Sequence, residues 1–510
     1  MPVDPRTPVV VGVGQFTERI DEPAYRGMSS VELATEAVRA ALADTGADVA
    51  AVAKAIEVFA GLRQFEICTP FSNPPLGCSD NYVRSVAQRV GADPARAVLE
   101  PIGGNGPQKL VTEFAGAIAA GDAEVVLVLG SEPGSTAKYF AGRDDKPDFT
   151  EEVGGQLEDR GYGFEQYMSE YTAKHGLTGA PVQYGLLDNA RRAKLGLGVS
   201  DYRQQMAELF APFSKVAAKN PFSSSPVERS VEEIVTVTDD NRMICDPYPR
   251  LLVARDTVNQ GAAAILMSVE AARRLGVPED KWVYLHGHAD QTEQALLDRE
   301  DLSVSFSAKQ SVAEALRVAG IGMDDIATFD LYSCFPYPVF AVCDEFGLAS
   351  DDPRGLTLTG GLPYFGGPGN SYSLHGIAET VAEMRDKPGS FGLVGANGGV
   401  MSKYSVGVYS TTPADWVADR SKELQQNIAA LPMVPVTRNA NGTGTIETYS
   451  VRYDWPVVTG IIIGRLDADD SRFMALTEDQ DLVALMTGGD PLGAKIAVHA
   501  DDVVNRAVSA

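Results

Sequence analysis

The sequence predicts an α/β protein with a layered, covered sheet, followed by a small C-terminal β-barrel. Three observations carry this. Runs such as Val9-Val10-Val11-Gly12-Val13-Gly14 and Val125-Val126-Leu127-Val128-Leu129-Gly130 are too apolar for a half-exposed strand, and each adjoins a stretch of helical period. An α/β pattern returns from Trp282 to about Ser410. Beyond Thr411-Thr412-Pro413 the chain becomes a series of short strands between Gly, Asp and Pro turns.

Taken in order, the first strand ends in a turn. A helix follows over about 29–42, with Val31, Ala34, Ala37, Val38 and Ala41 on one face. A second helix over about 107–120 precedes the strand 125–130. From about 134 to 256 the pattern loosens into polar helices and Pro-rich turns, as an inserted loop domain would. Gly261-Ala262-Ala263-Ala264-Ile265-Leu266-Met267-Ser268 returns to a buried strand. The second α/β stretch offers a strand at 328–331, a Gly-rich turn, a helix near 374–384 and a last strand pair within 391–409. The boundaries fall at 1–270 for a first half, 271–412 for a second, related half, and 413–510 for the added domain. In the last, after a short helix ending near Leu431, strands are expected at 444–454, 457–465, 472–477, 494–499 and 503–508. This is the spacing of a small closed or nearly closed antiparallel barrel.

The 510 residues carry 43 Lys plus Arg against 69 Asp plus Glu, a net charge of −26. Such a chain repels nucleic acid and anionic lipid, but leaves room for an anionic small molecule in a local basic pocket. Residues 413–510 are themselves net −6, so the barrel is not read as a nucleic-acid binder. No apolar run approaches the ~18 residues that span a bilayer, and the N-terminal residues lack the apolar core of a signal peptide. The five cysteines (Cys68, Cys78, Cys245, Cys334, Cys343) form no C-x-x-C pair, which argues against disulfides and zinc and for the reducing cytoplasm. His286 and His288 share a strand face, the spacing of a metal pair. Without carboxylates at matching spacing they read as strand residues near a surface, and no metal is expected.

Gly12-Val13-Gly14 lacks the third glycine of a dinucleotide fingerprint, Thr17 standing in its place. No P-loop and no G-x-S-x-G elbow is present. Three glycine-dense elements remain: 101–107 (Pro-Ile-Gly-Gly-Asn-Gly-Pro) ahead of a helix, 360–370 (Gly-Gly-Leu-Pro-Tyr-Phe-Gly-Gly-Pro-Gly-Asn), and 395–400 (Gly-Ala-Asn-Gly-Gly-Val). Glycine lets backbone N–H groups approach a ligand, and a helix N-terminus favours an oxyanion. Between the first two lies Asp330-Leu331-Tyr332-Ser333-Cys334-Phe335.

With Asn220-Pro221-Phe222-Ser223, Thr257-Val258-Asn259-Gln260-Gly261-Ala262-Ala263-Ala264 and Gly121-Asp122-Ala123 before a strand and Glu132, this order resembles the thiolase superfamily, nearest its sterol-carrier-protein-thiolase branch, over about residues 5–410. The resemblance implies a five-layered αβαβα core of two related halves with a loop domain that helps hold coenzyme A. It also implies a cysteine nucleophile at a helix N-terminus. Here the matching positions differ. The nucleophile position holds Gly104, the aromatic loop offers Tyr332, the G-H-P base position holds Gly367, and the C-x-G segment, within 393–400, has no cysteine. Glycine has no group to attack a thioester, so covalent thiolysis through this position is excluded.

The resulting expectation is an acyl-CoA-related protein of lipid metabolism that binds a CoA ester without thiolase activity and carries no covalently bound cofactor. Arg191, Arg192, Lys194, Lys215 and Lys219 are the candidate cations for the phosphates of coenzyme A. Gly366, Gly367, Gly398 and Gly399 are the candidate backbone contacts. A second reading, retro-aldol cleavage of a hydroxyacyl-CoA, uses Tyr332 and Tyr364, by similarity to thiolase-fold aldolases that carry tyrosines in these two loops. A third is a non-catalytic scaffold whose barrel recruits a protein partner. Cys334 is read as structural, His375 as capping or packing beside the stripe Leu374, Ile377, Val381 and Met384, and nothing in the Phe65–Cys78 loop places Cys68 or Cys78 near a substrate.

Overall fold

The computed structural model describes residues 3–163, 169–453 and 457–510. Met1, Pro2 and Asp454, which closes the first expected barrel strand, lie outside them. The first half holds β1 (Pro8–Glu18), α1 (Ser30–Asp44), β2 (Val58–Leu62), β3 (Arg96–Glu100), α2 (Gly106–Ala120) and β4 (Val125–Pro133). It continues through α3 (Ala180–Leu195) and α4 (Val199–Ala217) of the loop region to β5 (Asn259–Ser268). The second half holds β6 (Val283–Thr292), α5 (Phe306–Ala319), β7 (Ile326–Leu331), α6 (Pro336–Phe346), α7 (Tyr372–Asp386), β8 (Phe391–Gly398) and β9 (Lys403–Ser410).

The strand pairing repeats. β1 runs antiparallel to β5, β5 antiparallel to β4, and β4 parallel to β2. In the second half β6 runs antiparallel to β9, β9 antiparallel to β8, and β8 parallel to β7. The two half-sheets meet where β1 pairs with β6 at Val9–Tyr284 and Val10–Val283. α2 and α7 pack on each other and on both half-sheets, while α1 covers the first half and α5 the second. The five layers are therefore helix, sheet, helix, sheet and helix. Gly12 and Gly14 serve this packing, because a Cβ on either would fall within 3.0 Å of the α1 backbone. That accounts for a glycine pair without a dinucleotide.

The added domain contains β10 (Gly442–Arg452), β11 (Thr459–Leu466), β12 (Arg472–Thr477), α8 (Gln480–Gly488), β13 (Lys495–Asp501) and β14 (Val504–Ser509). Its strands close in the order β10-β11-β12-β14-β13-β10. The barrel is antiparallel except at the β12–β14 seam, which is parallel at Leu476–Arg506. The intervening helix α8 reverses the chain and makes that parallel seam accessible. Within β11, Ile462 packs inside the barrel, whereas Ile461 and Ile463 join the core cluster of the loop region. Period two thus sends one face inward and the other onto the rest of the molecule. The two histidines with metal-pair spacing instead hold the segment between core and barrel on β6. His286 Nε2 lies 2.7 Å from Thr412 O, and His288 bonds Asp419 (2.7 Å) and Val417 O (3.0 Å).

Candidate functional site

The glycine-dense segments and the aromatic loop converge on one cavity of about 470 Å³. The chain enters α2 through Ile102, Gly103 and Gly104. Tyr332, Cys334 and Phe335 follow β7, Leu362 and Gly367 come from the second glycine segment, and Asn397 and Gly399 end β8. The loop region closes the far side with Pro181 and Tyr184.

At the centre stand Gly104 and Tyr332. A Cβ on residue 104 would come within 2.5 Å of Tyr332 Cζ and 2.7 Å of Asn397 O. The phenol therefore occupies the room that a side chain at 104 needs, and no non-glycine residue fits without moving it. Tyr332 is fixed by its N–H to Gly395 O (3.0 Å) and by an edge contact with Tyr372 (5.2 Å between centroids). Its hydroxyl has no hydrogen-bond partner among the described residues. Burial, aided by Cys334, holds its pKa well above the ordinary value, so the group stays protonated.

A neutral network backs it. Asn397 Nδ2 donates to the Tyr184 hydroxyl (2.6 Å), which donates to Gly399 O (2.9 Å), and the Tyr184 ring stacks on Phe335 at 4.6 Å. Burial pushes the Cys334 thiol up to about 12, so it is no thiolate at neutral pH. Cys68, which nothing in the sequence places near a substrate, also lines the cavity. Its pKa too is raised, by burial and by Glu132. Charge is scarce: Asp256 and Lys403 are the ionisable acid and base among the lining residues.

The structure separates the remaining sequence candidates. Tyr364 is not in the cavity wall; it is buried, donates to Leu251 O (3.0 Å) and meets Phe210 edge-on. Arg191 makes a bidentate pair with Asp344 (2.6 and 2.8 Å), and Arg192 one with Asp490 of the barrel domain (2.7 and 2.9 Å). Lys194 pairs with Asp301 at 2.8 Å. These cations answer internal carboxylates rather than a cavity ligand, because helix α3 is wedged between core and barrel. Lys215 and Lys219 are exposed near the end of α4, outside the cavity wall. Gly367 and Gly399 line the cavity. Gly366 faces Gln260 and Ser224, and Gly398 packs on Asn105 and Gly103. His375 is fully buried, with Nδ1 2.7 Å from Gln15 Oε1, and burial lowers its pKa to about 3. Tyr184, Asn397, Asp256 and Lys403 were not foreseen. Only Asn397 had a signal, its place inside a glycine-dense segment.

Residues 423–503 match the family model of the thiolase-like protein type 1 additional C-terminal domain. The whole chain is similar to a crystal structure of a monomeric SCP2-thiolase like protein type 1 from Mycobacterium smegmatis, with 62% identity over 100% of both chains and a TM-score of 0.87. A further likeness, to an Ltp2-ChsH2(DUF35) aldolase, has 20% identity, covers 80% of this chain and 99% of that one, and has a TM-score of 0.56. At that identity the likeness is one of fold.

Proposed function

The chain belongs to the SCP2-thiolase-like protein type 1 family, and we propose that it binds a coenzyme A ester without cleaving it by thiolysis. The observation that supports this most is the exchange at the cavity centre. Gly104 supplies no nucleophile, and the Tyr332 hydroxyl fills its space as a protonated, unpartnered donor. A thioester carbonyl seated there accepts a hydrogen bond from Tyr332 and meets no thiolate. The apolar wall of Phe335, Val253 and Leu362 suits the acyl portion.

The phosphates need cations that the protein has not already used. Arg255 stands between the lining residues Ala254 and Asp256, and no carboxylate lies within ion-pair range of it among the described residues. Its pKa is lowered by burial and by the neighbouring Arg250. An anion beside this pair relieves both effects. Lys215 and Lys219 are exposed, and α4 packs on Gly360, two residues before Leu362. We take these four side chains, not Arg191, Arg192 or Lys194, as the phosphate contacts.

Calorimetry with coenzyme A and dodecanoyl-CoA tests the reading. Binding is expected, about tenfold weaker in Tyr332→Phe through loss of one hydrogen bond. Absence of heat with every ester overturns it, and thiolysis of acetoacetyl-CoA by the wild-type chain overturns its non-catalytic part. The retro-aldol reading is weaker here, since Tyr364 is committed to Leu251 O and both phenols are kept protonated by burial. It would return if cleavage of a 3-hydroxyacyl-CoA were observed and lost in Asp256→Asn.

A further inference from the structure

Helix α3 joins the cavity to the barrel. On the cavity side, the Tyr184 hydroxyl donates to Gly399 O (2.9 Å) and accepts from Asn397 Nδ2 (2.6 Å) and the Met401 N–H (3.2 Å). Its ring stacks on Phe335. Phe335, Asn397 and Gly399 are all cavity wall, so one side chain ties the helix to three wall residues.

On the barrel side the helix meets β10. That strand alternates: Tyr449 and Val451 point into the barrel core, while Thr448 and Ser450 face α3. The Thr448 hydroxyl donates to Leu186 O (2.5 Å), and Asn189 Nδ2 donates to Tyr449 O (2.9 Å). Gly185, Asn189 and Arg192 form an i, i+4, i+7 stripe along this contact. A Cβ on residue 185 would lie 2.4 Å from Asp246 O and 2.8 Å from Ser450 Oγ, so only glycine lets the two elements come this close. Arg191 fastens the later turns of the helix to Asp344 on α6. A push at Gly185 therefore swings the first turns, which carry Tyr184. A packed interior transmits such a displacement instead of absorbing it.

We propose that β10 of the barrel is a positioning element of the ligand site. Its contact with Gly185 and Leu186 sets where α3 lies, α3 through Tyr184 sets the cavity wall, and ester affinity is thereby controlled from the barrel. Gly185 and Thr448 are the positioning residues, and neither lines the cavity. The inference rests on the CoA-ester reading above and adds a route of regulation to it.

The test is calorimetry with dodecanoyl-CoA on the full chain, well below the Tm of each variant. Gly185→Ala, whose methyl must push α3 off Asp246, is expected to bind about tenfold more weakly. Thr448→Val, which keeps the shape and loses one hydrogen bond, should bind about threefold more weakly. Tyr184→Phe should itself weaken binding, and in that background Gly185→Ala should add no further loss. Val498→Ala, which opens a void inside the barrel, should lower Tm and leave the affinity unchanged. Wild-type affinity in both Gly185→Ala and Thr448→Val overturns this inference and leaves the ester reading standing. An equal loss in Val498→Ala overturns it by showing a general loosening, and full additivity with Tyr184→Phe overturns it by showing a route that bypasses Tyr184. Failure of every ester to bind the wild-type chain overturns both readings.

Discussion

A cysteine placed at position 104 would push its Cβ into the Tyr332 ring. Overpacking of this kind costs about 1–3 kcal/mol. Gly104→Cys is therefore expected to lower the urea midpoint. Gly104→Cys with Tyr332→Ala should recover the midpoint, because the second change makes room. A double mutant no more stable than Gly104→Cys alone would show that the two positions are not sterically coupled. Asp490 gives a second test at this scale. Hydrogen bonds from Arg192 hold its carboxyl below the ordinary range, against the effect of burial. A depressed carboxylate stabilises the fold above its unfolded value, near 4, and loses that contribution as pH falls below it. Asp490→Asn should cost about 1–3 kcal/mol at neutral pH by leaving the buried Arg192 poorly paired. The variant should also show a smaller drop in Tm than wild type between about pH 5 and pH 3.

At the level of elements, the exposed edge of the first half-sheet has its own cover. The pair Glu158–Asp159 adds in parallel to β3, and Arg160 reaches Glu100 (2.9 Å) and Glu113 (2.6 Å). Arg96 pairs with Glu158 at 2.7 Å. An uncovered edge strand offers its free backbone groups to another chain, and charged covering segments block that route. Replacing residues 157–160 with a Gly-Ser stretch should uncover β3 and produce concentration-dependent self-association in light scattering. A variant whose scattering matches the wild type at every concentration would assign the segment a merely local role.

Across the whole molecule, the barrel is part of the packed body and not a free module. Ile461, Ile463 and Met474 share a core cluster with Leu177 and Tyr184, and Tyr184 also lines the cavity. Arg472, fully buried, donates to Leu297 O (2.8 Å) and pairs with Glu447. The face made by β11 and β12 is thus spent within the chain, which leaves the scaffold reading only the barrel's other surfaces. Calorimetric unfolding should show one transition for core and barrel together, and Ile463→Asp should lower its midpoint as a unit. Two separable transitions in the wild type would contradict this.

The fold was legible because buried strands announce themselves as continuous apolar runs and amphipathic helices by their period, both local properties. So were Gly104, Gly367 and Tyr332, since their segments have an order along the chain. Tyr364, Arg191 and Arg192 misled because a residue's position in a motif or a basic run says nothing of which way its side chain turns. The β12–β14 parallel seam was missed because strand spacing does not encode direction once a helix intervenes. By itself the sequence determined the layered core and the added barrel, and it placed a glycine at position 104 ahead of α2. Only the tertiary structure decided that Tyr332 packs against Gly104 and that the helix α3 cations answer Asp344 and Asp490. Those facts depend on contacts between residues far apart in the chain, and such contacts exist only once the core has packed.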